Sequence, residues 1–302
     1  MGGHQKRPPF LFDMKYVTLA DLAKTIRENI HRIPHDIDFV MGVPRSGLLC
    51  GSIIAEFLNI PLIDVNSFIS GAKPTGGCRL RFHKLSGSSK PRVLVVDDTI
   101  WTGGQLRKAK AKLEPFAGEY EFIYCVVFRE GPAEGADIWL EDLRSYTDNF
   151  STFVLYEWNI FHHGNRIMSA SMYDIDGVFC VDPPDERDEK AYLDYIANAT
   201  PLFTPSNKIG GIVSYRLAKN EAITRKWLED NNICYDRLIL FPAQTYGERA
   251  ASGIRPSAFK ADIYGKSDWA KLFVESSDGQ AKEIFRLTGK PVYCVETNRM
   301  YA

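Results

Sequence analysis

Val93-Leu94-Val95-Val96-Asp97-Asp98-Thr99-Ile100-Trp101-Thr102-Gly103-Gly104-Gln105 is the stretch on which the reading of the chain turns. Four consecutive aliphatic residues without polar alternation predict a strand buried on both faces, as in a parallel sheet. Two adjacent acids and a Thr-Gly-Gly turn follow, and Leu106 to Leu113 then reads as helix. At the carboxyl edge of such a sheet, the backbone N–H groups of a small-residue turn entering a helix form a cradle for phosphate. Thr102 can add a hydroxyl, and Gly103 and Gly104 let the backbone come close.

A phosphate alone would be repelled by Asp97 and Asp98. A ligand that also carries hydroxyls or a divalent cation would not, and a ribose diol with Mg²⁺ beside a 5-phosphate meets both needs. The ligand implied is phosphoribosyl pyrophosphate (PRPP); the plainer alternative is a strand-turn-helix with two solvated acids. The stretch resembles the signature of the type I phosphoribosyltransferases: a hydrophobic run, two acids, three mostly apolar residues, then Thr-Gly-Gly. That resemblance implies a doubly wound α/β domain with a small hood. It also implies Asp97 and Asp98 as catalytic, Mg²⁺-binding acids, and PRPP contacts from Thr99, Thr102, Gly103, Gly104 and Gln105.

Outward from this stretch, Thr18 to His31 has the helical period, with Thr18 and Asp21 placed as a capping box and Pro34 as a stop. Ile37 to Val43 reads as a strand and Leu48 to Leu58 as a helix, joined by Pro44-Arg45-Ser46-Gly47. In the resembling family a loop of this kind holds the pyrophosphate, which implies roles for Arg45, Ser46 and Gly47. Pro61 to Val65 is a further strand. The segment from Asn66 to Pro91 is long, polar and basic, and is read either as a solvated loop or as a lid that excludes water from a reactive ribosyl centre. Arg79, Arg81 and Lys84 would then neutralise the departing pyrophosphate.

Phe122 to Phe128 is another strand, and residues 130–163 are expected to supply the hood. Trp139, Tyr156 and Trp158 there would stack on an acceptor or simply pack. His162-His163 has no partners at metal-ligand spacing.

In the second half an apolar approach ends in Asp174-Ile175-Asp176-Gly177. Acids separated by one residue at a strand terminus point the same way and can share one Mg²⁺, and one of them can attack phosphorus. Gly210 to Ser214 reads as a strand ending in a hydroxyl, Lys260 follows, and Leu272 to Glu275 is a strand ending in an acid, with Asp278 soon after. In that order these residues resemble the haloacid dehalogenase (HAD) superfamily of phosphatases. The resemblance implies Asp174 as nucleophile, Asp176 as general acid and then base, Ser214 and Lys260 as phosphate-binding groups, and either Glu275 or Asp278 completing the Mg²⁺ site. The stretch between Asp176 and Ser214 leaves little room for a cap once the helix Glu189 to Ala199 is placed. Tyr215 to Asn232 and Lys282 to Thr288 read as amphipathic helices.

With 302 residues, two domains are expected, a transferase at 1–166 and a HAD-like, nearly capless Rossmannoid phosphatase at 167–302. The net charge of −1 gives no global electrostatic case for nucleic acid. The six cysteines lack zinc or disulfide spacing, and no apolar run is long enough to span a bilayer, so a cytoplasmic protein is expected. Together the halves suggest transfer of 5-phosphoribosyl from PRPP to an acceptor and removal of the 5-phosphate, leaving ribofuranose on a sugar, a lipid-linked glycan or a small natural product. A lipid-linked acceptor would bring peripheral membrane contact, and self-association stays open. The competing readings are a nucleobase phosphoribosyltransferase, orotate or purine type, with a fused phosphatase, and a non-catalytic PRPP sensor.

Overall fold

The structure is a computed structural model that describes residues 14–77, 90–147, 153–162, 164–184 and 188–302. Its chain forms two compact units, Val17–Val154 and, with the segment ending at Tyr16, Leu155–Ala302. The change of unit thus falls at Val154/Leu155, earlier than the expected 166/167. No helix among the described residues is long and apolar enough to cross a membrane.

β1 (Met14–Val17) lies almost wholly in the second unit, and the first unit then opens with α1 (Leu19–Asn29), whose capping box is formed by Thr18 and Asp21. Then come β2 (Phe39–Gly42), α2 (Ser46–Leu58), β3 (Leu62–Asp64), α3 (Val65–Ile69), β4 (Arg92–Ile100), α4 (Gly104–Leu113), β5 (Glu121–Arg129) and β6 (Ile138–Asp142). The strands make a parallel five-stranded sheet in the order β3-β2-β4-β5-β6. Val93 to Val96, on the central β4, are wholly buried, as a strand covered on both faces requires. Phe39, Met41, Val95, Leu106 and Val126 form part of the core on one side.

Two expectations are corrected here. The stretch from Asn66 is not loop throughout, because Asp64 caps a helical turn by accepting from Asn66 N–H and Ser67 N–H at 2.9 and 3.0 Å. The segment expected to form the hood instead supplies β6, an edge strand of the main sheet whose Trp139 lies opposite Val126. Its half-exposed side chains alternate too weakly for the sequence to mark it as core. Cys78 to Ser89, and with it Arg79, Arg81 and Lys84, lies outside the described residues, as do 148–152 and His163.

The second unit continues with β7 (Phe153–Tyr156), which begins just before the change of unit and pairs with β1, then α5 (Asn165–Met168), β8 (Ser171–Tyr173), α6 (Glu189–Asn198), β9 (Gly211–Leu217), α7 (Glu221–Asp230) and β10 (Leu238–Phe241). It closes with α8 (Tyr246–Ala251), α9 (Pro256–Gly265), β11 (Leu272–Glu275), α10 (Asp278–Thr288), β12 (Val292–Cys294) and β13 (Arg299–Tyr301). Its sheet runs β10-β9-β8-β11-β12-β13, with only β13 antiparallel. Tyr215 to Leu217, expected to open a helix, extend β9 instead, with Tyr215 and Leu217 packed against Phe259 of α9 and Phe241 of β10.

Candidate functional site

In the first unit β2 leads on to β3 on one side of the sheet while β4 leads on to β5 on the other. A crevice opens at the carboxyl end of the strands where the order reverses. β4 loses β2 after the Val96–Gly42 pair but keeps β5 as far as Ile100–Arg129. Asp97 and Asp98 stand at that divergence, 8% and 6% exposed. Asp98 N–H donates to Asp97 Oδ1 at 3.0 Å. Burial, and then the charge of Asp98, pushes the Asp97 carboxyl up to about 8. Burial followed by both acids also drives the Cys50 thiol of α2 well above its usual range.

The turn beyond the acids opens onto the uncapped N-terminus of α4. Gly103 sits at φ 69°, and α4 makes its first helical bond from Arg107 N–H to Gly103 O at 2.9 Å. The N–H groups of Gly104, Gln105 and Leu106 therefore face out of the positive end of the helix. A cavity of about 360 Å³ lies there, lined among others by Asp97, Thr99, Trp101, Thr102, Gln105 and Lys108. Gln105 and Lys108 also border a second cavity of about 320 Å³ beside Val43 and Pro44.

Gly47 is buried, and a Cβ on it would come within 2.5 Å of Val96 O, so only glycine lets α2 start this close to the acids. Arg45 and Ser46, at the same helix start, are exposed and half-buried. Sequence reasoning passed over Lys108 and Trp101. Lys108 lies one helical turn from Gly104 on the same face, a spacing that could have marked it. Trp101 was read as part of the signature, yet its ring is 50% exposed beside the acids.

The second unit repeats the topology. β8 leads to β9 on one side and β11 to β12 on the other, so the loops after β8 and β11 meet at a strand-order reversal. Asp174, Glu275 and Lys260 are all buried there. Lys260 Nζ donates to Asp174 Oδ2 at 2.6 Å, to Glu275 Oε2 at 2.7 Å and to Gln280 Oε1 at 3.0 Å. Burial opposes the charge on Lys260, but Asp174 and Glu275 outweigh it and raise its pKa. Burial lifts Asp174 to about 7 against the pull of Lys260.

Asp176 has a different partner. Arg216 Nη2 and Nε donate to its carboxylate at 2.6 and 3.2 Å, and Tyr195 Oη donates at 2.7 Å. Burial opposes ionisation, yet Arg216 prevails and holds this carboxyl below its usual range. The group is therefore held ionised before substrate binds, whereas the resemblance implied a general acid that then serves as base.

The structure brings Asp174, Asp176, Lys260 and Glu275 to one sheet edge. Asp278 is elsewhere engaged, with Lys282, Tyr301 and Thr297. Ser214 is buried on β9 and its Oγ accepts from Arg216 N–H at 3.3 Å. Tyr195, Arg216 and Gln280 were not foreseen; Arg216 could have been, lying two residues beyond Ser214 on the same strand face.

Among the described residues no three His, Cys, Asp or Glu side chains are grouped to hold a metal by themselves. In the first unit the two adjacent, buried carboxylates nevertheless fit Mg²⁺, which commonly takes one or two carboxylates and completes its shell with water and substrate phosphates.

Residues 16–160 match the phosphoribosyl transferase domain family. Over 142 residues the chain is 30% identical to a hypoxanthine/guanine phosphoribosyltransferase of Methanothrix soehngenii, covering 44% of this chain and 71% of that protein. It is 27% identical over 132 residues to an orotate phosphoribosyltransferase of a Nocardioides species, covering 42% and 71%. Among solved structures, a purine phosphoribosyltransferase from Pyrococcus horikoshii aligns with 22% identity and a TM-score of 0.34, over 48% of this chain and 93% of that one.

Proposed function

The chain belongs to the phosphoribosyltransferase family through residues 16–160, and from that premise we propose that it transfers 5-phosphoribosyl from PRPP to a nucleobase, with Mg²⁺. The observation that carries this reading is the buried Asp97–Asp98 pair beside the open N-terminus of α4. The 5-phosphate would rest on the N–H groups of Gly104 to Leu106 and Thr102, with Lys108 adding charge. Asp97 and Asp98 would hold the ribose hydroxyls and the cation, and Arg45, Ser46 and Gly47 would border the pyrophosphate. Mg²⁺ would neutralise the pyrophosphate as it departs. The named activities of the purine and orotate relatives favour a base as acceptor over a glycan.

For the second unit we propose a phosphomonoesterase site of HAD type, with Asp174 placed to attack phosphorus and Lys260 to neutralise the phosphoryl oxygens. The support is the sheet order and the convergence of Asp174, Asp176, Lys260 and Glu275 on one edge. This site also sustains a second reading of the whole. Mononucleotide salvage gains nothing from loss of the 5-phosphate, whereas delivery of ribofuranose to a sugar requires it.

Mass spectrometry of products from PRPP, Mg²⁺ and a mixed pool of nucleobases and glycans, with wild type beside Asp174→Asn, separates these readings. A mononucleotide in the variant, with the nucleoside in the wild type, supports the nucleobase acceptor. A glycan gaining phosphoribose in the variant and bare ribose in the wild type supports the second reading. Absence of pyrophosphate release with any acceptor would defeat both.

A further inference from the structure

Within the second unit, a cavity of about 350 Å³ opens beside the ends of β9 and β10, with Tyr192, Leu217, Lys219, Asn220, Thr245 and Tyr246 in its wall. That is room for one small ring compound. Its wall touches the residues that hold the acid cluster. Leu217 directly follows Arg216, which grips Asp176, and Tyr192 stacks at 6.1 Å on Tyr195, whose hydroxyl donates to Asp176. Two of its wall residues are thus neighbours, one in sequence and one by ring contact, of the two side chains that hold Asp176.

Asn220 is the informative wall residue. It occupies the N-cap position of α7, where asparagine is among the preferred cap types, yet it makes no side-chain cap bond. It is 3% exposed, and its Nδ2 has no hydrogen-bond partner. A buried amide donor left unpaired is costly, so a side chain that neither caps nor pairs is explained best by a partner that arrives from outside. Asn220 is itself part of the cavity wall, so its amide borders the space that a ligand would fill. Tyr246, 48% exposed at the rim, offers a ring face, and the Lys219–Glu189 ion pair adds polar groups.

We propose that this cavity binds the base of a nucleoside 5′-monophosphate, with a ring oxygen or nitrogen accepting from Asn220 Nδ2 and Tyr246 stacking on the ring, so that the 5′-phosphate is presented to Asp174. The proposal rests on the phosphomonoesterase reading and names its substrate class. It would make the nucleotide product of the first unit the substrate of the second.

The test compares phosphate release from inosine and uridine 5′-monophosphates with release from ribose 5-phosphate, which lacks the ring, in wild type, Asn220→Ala and Tyr246→Ala. Each variant is expected to raise KM for the nucleotides about tenfold, leaving kcat and all kinetics on ribose 5-phosphate unchanged. Tyr246 is exposed enough that its variant will fold even if the Asn220 variant does not. Equal KM values for nucleotides and ribose 5-phosphate in the wild type, or variants that affect both alike, would overturn the cavity's role while leaving the phosphatase standing. If no phosphate is released from any substrate, including p-nitrophenyl phosphate, the phosphatase reading fails. The cavity is then judged by titrating inosine and uridine by NMR: binding weakened in both variants upholds it, and no binding to the wild type rejects it.

Discussion

The two units set acids at the same place in two similarly wound sheets and treat them in opposite ways. At the end of β4, Asp97 and Asp98 are buried side by side, and the neighbour's charge adds to burial in forcing Asp97 up to about 8. At the ends of β8 and β11, three acids are interlocked with Lys260 and Arg216 at 2.6 to 2.7 Å. The first arrangement stores electrostatic repulsion that a cation or a set of hydroxyls would relieve; the second is close to neutral before anything binds. A ligand's charge should therefore matter more to the stability of the first unit than of the second.

The sharpest way to break the comparison is to remove the first acid pair. Replacing Asp97 and Asp98 together with Asn should lower pyrophosphate release by about 10³-fold, roughly 4 kcal/mol of barrier, without loss of folded stability. Hydrolysis of p-nitrophenyl phosphate, measured on the same preparation, should be retained. Parallel loss of both activities would mean that the sites are not independent.

The opposite sign is expected in the second unit. Arg216→Met strands the buried Asp176 carboxylate and should cost about 3 kcal/mol in urea unfolding. A neutral outcome would show that the interlock adds no stability.

A single Asp97→Asn change should sharpen the contrast through pH. The folded-state pKa of Asp97 lies above the ordinary carboxylate value of 3.8. Its favourable contribution is therefore complete only below about pH 4 and drains away as pH rises towards about 8. The variant should be more stable than wild type at pH 8 and no more stable at pH 4, with the difference growing steadily between, read as Tm against pH. The smallest effect is expected from Gly103→Ala, which forces a side chain into a left-handed backbone 2.9 Å from Glu134 O and should cost about 1 kcal/mol.

What the sequence made legible was local. The run Val93 to Val96, the adjacent acids and the glycine turn are consecutive, so the strand, the turn and the start of α4 could be read together. Thr18 and Asp21 are three apart and announce their own cap. What escaped depends on distant partners. β6 becomes a sheet strand only by pairing with β5, and Asp176 acquires its partner from a strand forty residues on. The same non-locality separates Glu275 from Asp278: one ends β11 and the other begins α10, but only Glu275 meets Lys260.

The Tyr16 ring packs at a tilt against Tyr293, centroids 5.5 Å apart, and its hydroxyl donates to Asn298 Oδ1, although the whole of the first unit lies between them in the chain. During synthesis that tyrosine leaves the ribosome long before its partners exist, and the first unit can complete its own fold in the interval. The finished first unit then acts as a compact tether. It replaces a long floppy loop and reduces the entropy lost when the ends of the second unit meet. Dissection of the protein at Val154/Leu155 would sever that tether and discard the tyrosine, so a fragment starting at Leu155 should refold more slowly than the same unit within the intact chain.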